Sequence, residues 1–172
     1  MVVPRHGRRL IISSGPADPP ADRWVCSQRM IIGAAGAALL AACSGPAPVR
    51  VTAPDPPAAG CGRLHAELPE GLDDRDRRDT TPASRRTAAW GDPPVTLRCG
   101  VPRPAGLTAT SEVIEVNAVE WFLAESPRAY VFTTVGRRTY VELRVPASTP
   151  REQATNPLVD LAAAVRTAVP EV

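Results

Sequence analysis

The sequence predicts an α+β domain over residues 61–172, with a small antiparallel sheet of four or five strands, a helix at each end and one disulfide. Short runs of alternating apolar and polar residues predict the strands, because successive side chains of a strand point to opposite faces. Apolar residues at helical spacing near both ends predict the helices. A domain of roughly 110 residues has one small core, so we expect the helices to cover one face of the sheet.

A short helix is predicted at the start of this domain, followed by a surface loop. Cys61, Leu64, His65 and Leu68 recur at helical spacing, and Pro69 ends the pattern. The next stretch, Glu70–Arg86, is charged and rich in turn-forming residues, which predicts a loop.

The first predicted strand follows a turn at Asp92-Pro93-Pro94. Val95, Leu97 and Cys99 alternate there with polar residues, which places Cys99 toward the core.

Two hairpins and a helix complete the prediction. Val113–Val116 and Val119–Leu123 flank Asn117-Ala118, which indicates a tight turn, and Tyr130–Val135 and Thr139–Val145 form a second pair of strands. In the last helix we expect Asn156 to be the N-cap and Pro157 the first helical residue, with Leu158, Leu161, Ala162 and Val165 on the buried face.

Residues 1–42 are predicted to be a signal region. A basic stretch with Arg23 and Arg29 precedes the apolar run Met30–Leu40, which is too short to span a bilayer as a helix. The run ends at Leu40-Ala41-Ala42-Cys43, which resembles the lipobox of bacterial lipoproteins and implies cleavage before Cys43 and lipid on its thiol. The alternative is an ordinary signal peptide cut elsewhere. Residues 1–22 are irregular and proline-rich, and we interpret them as the product of a start codon assigned too far upstream.

The segment after the cleavage site is predicted to be a spacer. Residues 43–60 are rich in proline and alanine, which favours a semi-extended chain between the lipid and the domain. We therefore expect the domain to be attached to the extracytoplasmic face of the cell membrane.

The charge distribution excludes nucleic-acid binding. Residues 1–42 contain five arginines and two aspartates, which give a charge of +3. The whole chain has a net charge of +2, so the remaining residues carry −1. A near-neutral domain lacks the basic surface that phosphate backbones require.

Two of the four cysteines are predicted to form a disulfide. Cys26 lies in the signal region and Cys43 takes the lipid, so Cys61 and Cys99 remain as a pair. The alternatives are a reactive thiol, although there is no CxxC motif, and a metal site. A metal site would have His65 as its only histidine after cleavage, and we expect no metal and no cofactor.

Trp90, Asp92 and Arg98 are the candidate ligand-binding residues. They fall near one turn and the strand after it, and the Arg98 guanidinium, opposite to Cys99, would hold a carboxylate or phosphate. The alternative is that Arg98 pairs with Asp92 or with a glutamate on a neighbouring strand. No catalytic residues are assigned, because His65 is expected to be structural.

Five stretches of the domain together resemble one known family. They are Cys61-Gly62-Arg63-Leu64, Trp90-Gly91-Asp92-Pro93-Pro94, Leu97-Arg98-Cys99-Gly100-Val101, Val116-Asn117-Ala118-Val119-Glu120-Trp121 and Phe132-Thr133-Thr134-Val135-Gly136-Arg137. With these stretches the domain resembles the actinobacterial domain-of-unknown-function family 3515, a family of secreted or lipid-anchored envelope proteins. The resemblance implies export and no established activity.

These features together predict a lipid-anchored envelope protein that acts as a non-enzymatic binding or accessory module toward an envelope protein or a cell-wall ligand. The alternative is a small hydrolase or transferase acting on cell-wall material. A concave pocket with converging polar groups would favour the enzyme, and a flat or apolar exposed patch the binding module.

Overall fold

Strands from the whole length of the domain combine into one antiparallel sheet of eight strands. The computed structural model describes residues 45–172, and the predicted signal region and Cys43 lie outside these residues. The helices are α1 (Cys61–Glu67) and α2 (Asn156–Ala168), with a 3₁₀ turn at Arg151–Gln153 before α2. The strands are β1 (Val49–Arg50), β2 (Gly71–Leu72), β3 (Arg75–Arg78), β4 (Thr80–Thr81), β5 (Thr87–Trp90), β6 (Val95–Val101), β7 (Ile114–Val116), β8 (Val119–Ser126), β9 (Ala129–Thr134) and β10 (Tyr140–Pro146).

The α+β class is confirmed, but the sheet is larger than the four or five strands predicted. Its order is β2-β3-β5-β6-β10-β9-β8-β7, and β1 and β4 form a separate parallel pair. The extra strands come from Glu70–Arg86, where the loop prediction was wrong, and from β5. Arginine stems can lie along apolar surface while their charged ends reach polar partners, so a charged sequence can pair at a sheet edge.

Strand β5 did not show the alternation that marked the other strands. All four of its residues are buried, because the helices cover one face and the β1–β4 side of the domain lies against the other. Backbone pairing places β5 between β3 and β6. A strand buried on both faces reads as a short continuous apolar run, which does not distinguish it from other buried structure.

Both predicted hairpins are confirmed. Asn117 and Ala118 form the turn between β7 and β8 with φ angles of 48° and 61°, as a two-residue type I′ turn requires. The second hairpin consists of β9 and β10, which pair in register from Glu142 opposite Thr133 to Pro146 opposite Ala129.

The core lies between the sheet and the two helices. Along β6, Val95, Leu97, Cys99 and Val101 are buried while the residues between them are partly exposed, so the predicted alternation is confirmed. Trp90, Trp121 and Phe132 are the largest fully buried side chains of the described residues. They belong to one apolar cluster with Leu64 of α1 and with α2.

A disulfide between Cys61 and Cys99 joins α1 to β6, with the two Cα atoms 5.6 Å apart. The pairing matches the prediction. It closes a loop with a sequence separation of 38 residues, for which the chain-entropy estimate gives about 4 kcal/mol of stabilisation.

The start of α2 lies one residue before the predicted start. Asn156 is the first helical residue, and Thr155 is the N-cap, without a capping side-chain hydrogen bond. The predicted N-cap role of Asn156 is therefore wrong, while Pro157 in the first turn agrees with its fixed φ. The four residues predicted to form the inner face of this helix are all buried.

The described part of the predicted spacer packs against the domain. Val49 and Arg50 pair with Thr80 and Thr81, and Val51 is only 5% exposed. Gly60 ends the segment with φ 85°, and a Cβ there would lie 2.9 Å from the carbonyl oxygen of Ala168. In the structure, the residues just before the predicted boundary at residue 61 therefore pack against the domain that begins there. Within residues 45–172, no helix has the length and apolarity needed to cross a bilayer.

Candidate functional site

The structure does not bring the three predicted ligand-binding side chains together. Trp90 is fully buried in the core, where its indole Nε1 donates a hydrogen bond to the carbonyl oxygen of Pro69 at 3.1 Å. Asp92 is exposed in the turn before β6. Arg98 lies on the sheet face opposite to the core, because its neighbours Leu97 and Cys99 point inward.

Arg98 forms the cross-strand ion pair that was the alternative to ligand binding. It lies opposite Glu142 in the pairing of β6 with β10, and its Nε is 3.1 Å from Glu142 Oε1. The two atoms lack hydrogen-bond alignment, so the contact is an ion pair only. Arg144 is also within 3.7 Å of the same oxygen. The Glu142 carboxylate is therefore already shared between two cations, and the prediction of an ion pair is confirmed.

A different set of residues surrounds a cavity of about 710 Å³ between α1, β3 and β4. Its lining residues include Arg77, Arg78 and Arg85, together with His65 and a single acidic residue, Asp79. We call this space the arginine cavity. Because three arginines and one aspartate line it, the charged residues of the arginine cavity sum to a positive charge.

His65 contributes an acceptor to the wall of the arginine cavity. Its Nε2 lies 3.3 Å from Nη2 of Arg77, and a guanidinium has only donors, so Nε2 must be the acceptor. The imidazole is therefore neutral, with its proton on Nδ1. Burial, followed by the charges of Arg77 and Arg85, lowers the pKa of His65 below its ordinary value, which agrees with this assignment.

Arg77 is held by the core beneath the arginine cavity. Its guanidinium carbon lies 5.3 Å from the centroid of the Trp90 ring, a cation–π distance, and its Nη1 donates to the carbonyl oxygen of Leu68 at 3.4 Å. Burial lowers the pKa of Arg77, and the carboxylate of Glu70 opposes this shift. The Trp90 ring thus positions a charge of the cavity without facing the cavity itself.

The other two arginines differ in how much of their donor capacity is used. Arg78 donates to the carbonyl oxygens of Gly91 and Ala47, while its buried Nε has no partner among the described residues. Arg85 is exposed on the rim and has no side-chain hydrogen bond or ion pair with residues 45–172. Arg85 is therefore available to bind an anion.

Hydroxyl groups complete the lining. Thr87 Oγ1 donates to the carbonyl oxygen of Ser84, so the contact between Thr80 and Thr87 uses the proton of Thr80. Ser84 Oγ accepts from the backbone N–H of Arg86 at 3.1 Å, and its own proton has no acceptor within the described part of the chain. Ser84 can therefore donate a hydrogen bond to a bound group.

A second cavity, of about 400 Å³, lies at the opposite edge of the sheet, next to the C-terminal residues. Glu115, Glu120 and Glu171 line it together with Arg137. Arg137 is already bonded to Glu171 and to two backbone carbonyls. Among residues 45–172, no group of three or more His, Cys, Asp or Glu side chains is arranged to hold a metal ion.

Sequence analysis missed the arginine cavity because its charged residues lie in the stretch interpreted as a loop. The signal was the density of cations: five of the twelve residues from 75 to 86 are arginine. Three of these arginines come to line one cavity through the pairing of β3 with β5 and of β4 with β1, and neither pairing has a local pattern.

The fold and this cavity define a disulfide-joined α+β domain with a basic pocket beside its N-terminal segment. The chain belongs to the family described as "Protein of unknown function (DUF3515)", whose family model matches residues 26–172. No curated protein and no solved structure matches it.

Proposed function

We propose that this protein is a lipid-anchored module of the cell envelope that binds an anionic ligand in the arginine cavity. The observation that carries the proposal is that three arginines and only one acidic residue, Asp79, line the cavity. Planar guanidinium groups match the geometry of carboxylates and phosphates and remain charged at any physiological pH. The volume of about 710 Å³ lies within the range of small-molecule sites.

The chemistry of the lining favours binding over catalysis. The His65 Nε2 that would act as a general base accepts a hydrogen bond from Arg77. Ser84 Oγ accepts from the Arg86 backbone, and no hydrogen bond joins Ser84 to His65 among the described residues. A nucleophile and its base need such a contact.

Attachment to the membrane is supported by the order of basic, apolar and small residues before Cys43. Two or more acyl chains on one residue give stable attachment, because each buried methylene contributes about 0.8 kcal/mol. We expect cells fed a radioactive fatty acid to label the wild-type protein and not Cys43→Ser. Cys26→Ser is the matched control, which should still be labelled. Equal labelling of Cys43→Ser and wild type would contradict the anchor.

A hydrolase of cell-wall material is the second candidate. The cavity is concave, and the polar residues Ser84, His65 and Asp79 all line it, as an enzyme requires. A fluorophosphonate probe forms a covalent adduct with an activated serine. The binding module predicts no adduct on Ser84 by peptide mass spectrometry, and an adduct that Ser84→Ala abolishes would favour the hydrolase instead.

A further inference from the structure

We infer that the anion bound in the arginine cavity is the phosphate of an anionic lipid headgroup, taken from the membrane in which the protein is anchored. This inference rests on the proposed function, since it requires both the lipid on Cys43 and the anion site. It adds the source of the ligand.

The arginine cavity lies within a short reach of the proposed anchor. Pro48 is part of the cavity lining, and it lies only five positions after Cys43. A fully extended chain covers at most about 3.6 Å per residue, so the Cα atoms of Cys43 and Pro48 are within about 18 Å of each other in any conformation. The headgroup layer is itself about 6 Å thick, so this reach brings the cavity close to the lipid phosphates.

The segment just after the proposed anchor, residues 47–50, also contacts the walls of the cavity. Arg78, one of the three cavity arginines, donates to the carbonyl oxygen of Ala47, and Val49 and Arg50 pair with Thr80 and Thr81 of the cavity wall. The chain that leads to the anchor therefore leaves the domain at the cavity rather than at a distant surface. A tether that leaves the domain at this point keeps the cavity on the side near the anchor.

Two hydrogen-bond donors of the cavity are free to bind the phosphate of a lipid headgroup. Arg85 is exposed on the rim and is unpaired within residues 45–172, while Ser84 offers an unused hydroxyl proton. The Debye length at physiological ionic strength is about 8 Å, so a lipid phosphate within that distance of Arg85 is attracted to it. A soluble anion would meet the same donors, but it would gain nothing from a cavity held at the membrane.

Chemical modification of arginine tests the inference in the intact lipoprotein. The protein is purified from cell envelopes and reconstituted in vesicles of phosphatidylcholine, or of equal amounts of phosphatidylcholine and phosphatidylglycerol. Phenylglyoxal modifies accessible arginines, and peptide mass spectrometry gives the rate at each site. Arg128, exposed in the turn between β8 and β9, is the control within the same molecule.

We expect Arg85 to react about fivefold more slowly in the anionic vesicles than in the neutral ones, the factor associated with one arginine at an anionic surface. The rate at Arg128 should not change. Equal rates at Arg85 in both vesicles would overturn the inference. Slowing confined to Arg50, which is exposed and outside the cavity, would also overturn it, because the domain would then touch the membrane with the cavity empty.

Two further measurements distinguish failure of this inference from failure of the proposed function. Inorganic phosphate added to neutral vesicles should leave the Arg85 rate unchanged, and strong slowing there would assign the site to a soluble anion instead. The mass of the N-terminal peptide shows whether Cys43 carries lipid. Unmodified Cys43 would overturn both the anchor and this inference, whereas lipidated protein without protection of Arg85 would overturn this inference alone.

Discussion

Arg137 illustrates how a single charged side chain can serve the core of this domain. Its side chain is only 3% exposed, and its guanidinium donates to the carbonyl oxygens of Val169 and Ala118 and to the Glu171 carboxylate, at 2.8 to 3.1 Å. These bonds hold the C-terminal residues against the β7–β8 turn. Buried charge is tolerated when it is paired and hydrogen-bonded in this way.

Replacing Arg137 by alanine should lower the free energy of unfolding by about 3 kcal/mol, because charged hydrogen bonds are lost and a buried carbonyl is left unpaired. Urea unfolding followed by tryptophan fluorescence measures the change. The neighbouring side chain of Arg138 is exposed, so Arg138→Ala should stay close to wild type. Equal effects of the two substitutions would contradict the structural role of Arg137.

The contact partner of His65 could not be predicted from the sequence. Its helical position was visible in the sequence, and it was interpreted as structural. Its partner Arg77 is twelve residues away along the chain and reaches it only because β3 joins the sheet. The type of a residue and its helical spacing do not identify the group that it will face.

At the scale of elements, the β7–β8 hairpin was predictable because its turn and its strands are local. Asn117 tolerates a positive φ, and the alternation on both sides defines the register. Ala118 has the same backbone conformation at a cost, since its Cβ is crowded there. The turn forms despite this residue because both strands also pack on the core.

Ala118→Gly should therefore raise the free energy of unfolding by about 0.5 kcal/mol, the steric relief outweighing the added chain entropy of glycine. Thermal unfolding would detect this as a small rise in Tm. Ala124→Gly is the matched control, since Ala124 is exposed within β8 and glycine should lower the stability there. If Ala118→Gly were instead as destabilising as the control, strain at this turn could not be the reason.

Strands β2, β3 and β4, in contrast, could not be predicted from their local sequence. β2, β3 and β4 are two to four residues long and carry mostly charged or polar side chains, so they show no apolar alternation. Their order comes from backbone pairing with buried neighbours and from arginine side chains that bond to carbonyl oxygens. These contacts form only when the rest of the sheet is present, so the local sequence does not indicate them.

For the whole molecule, the class, the disulfide and the central strands could be predicted, whereas the candidate site could not. The central strands follow from alternation along one segment each, and the disulfide from the number of cysteines left after the predicted cleavage. The arginine cavity combines residues near positions 48, 65 and 77–88, which become neighbours only through the assembled sheet. A site built from such distant segments leaves no spacing pattern to recognise.

The bridge between Cys61 and Cys99 links the maturation of this protein to the shape of its candidate site. Cys61 begins the helix that carries His65, and His65 is part of the cavity wall. Oxidation of the two thiols therefore fixes one side of the cavity, and a newly made chain with both thiols reduced lacks this restraint. Under the proposed route of export, the pocket acquires its final form only after the chain has left the reducing cytosol.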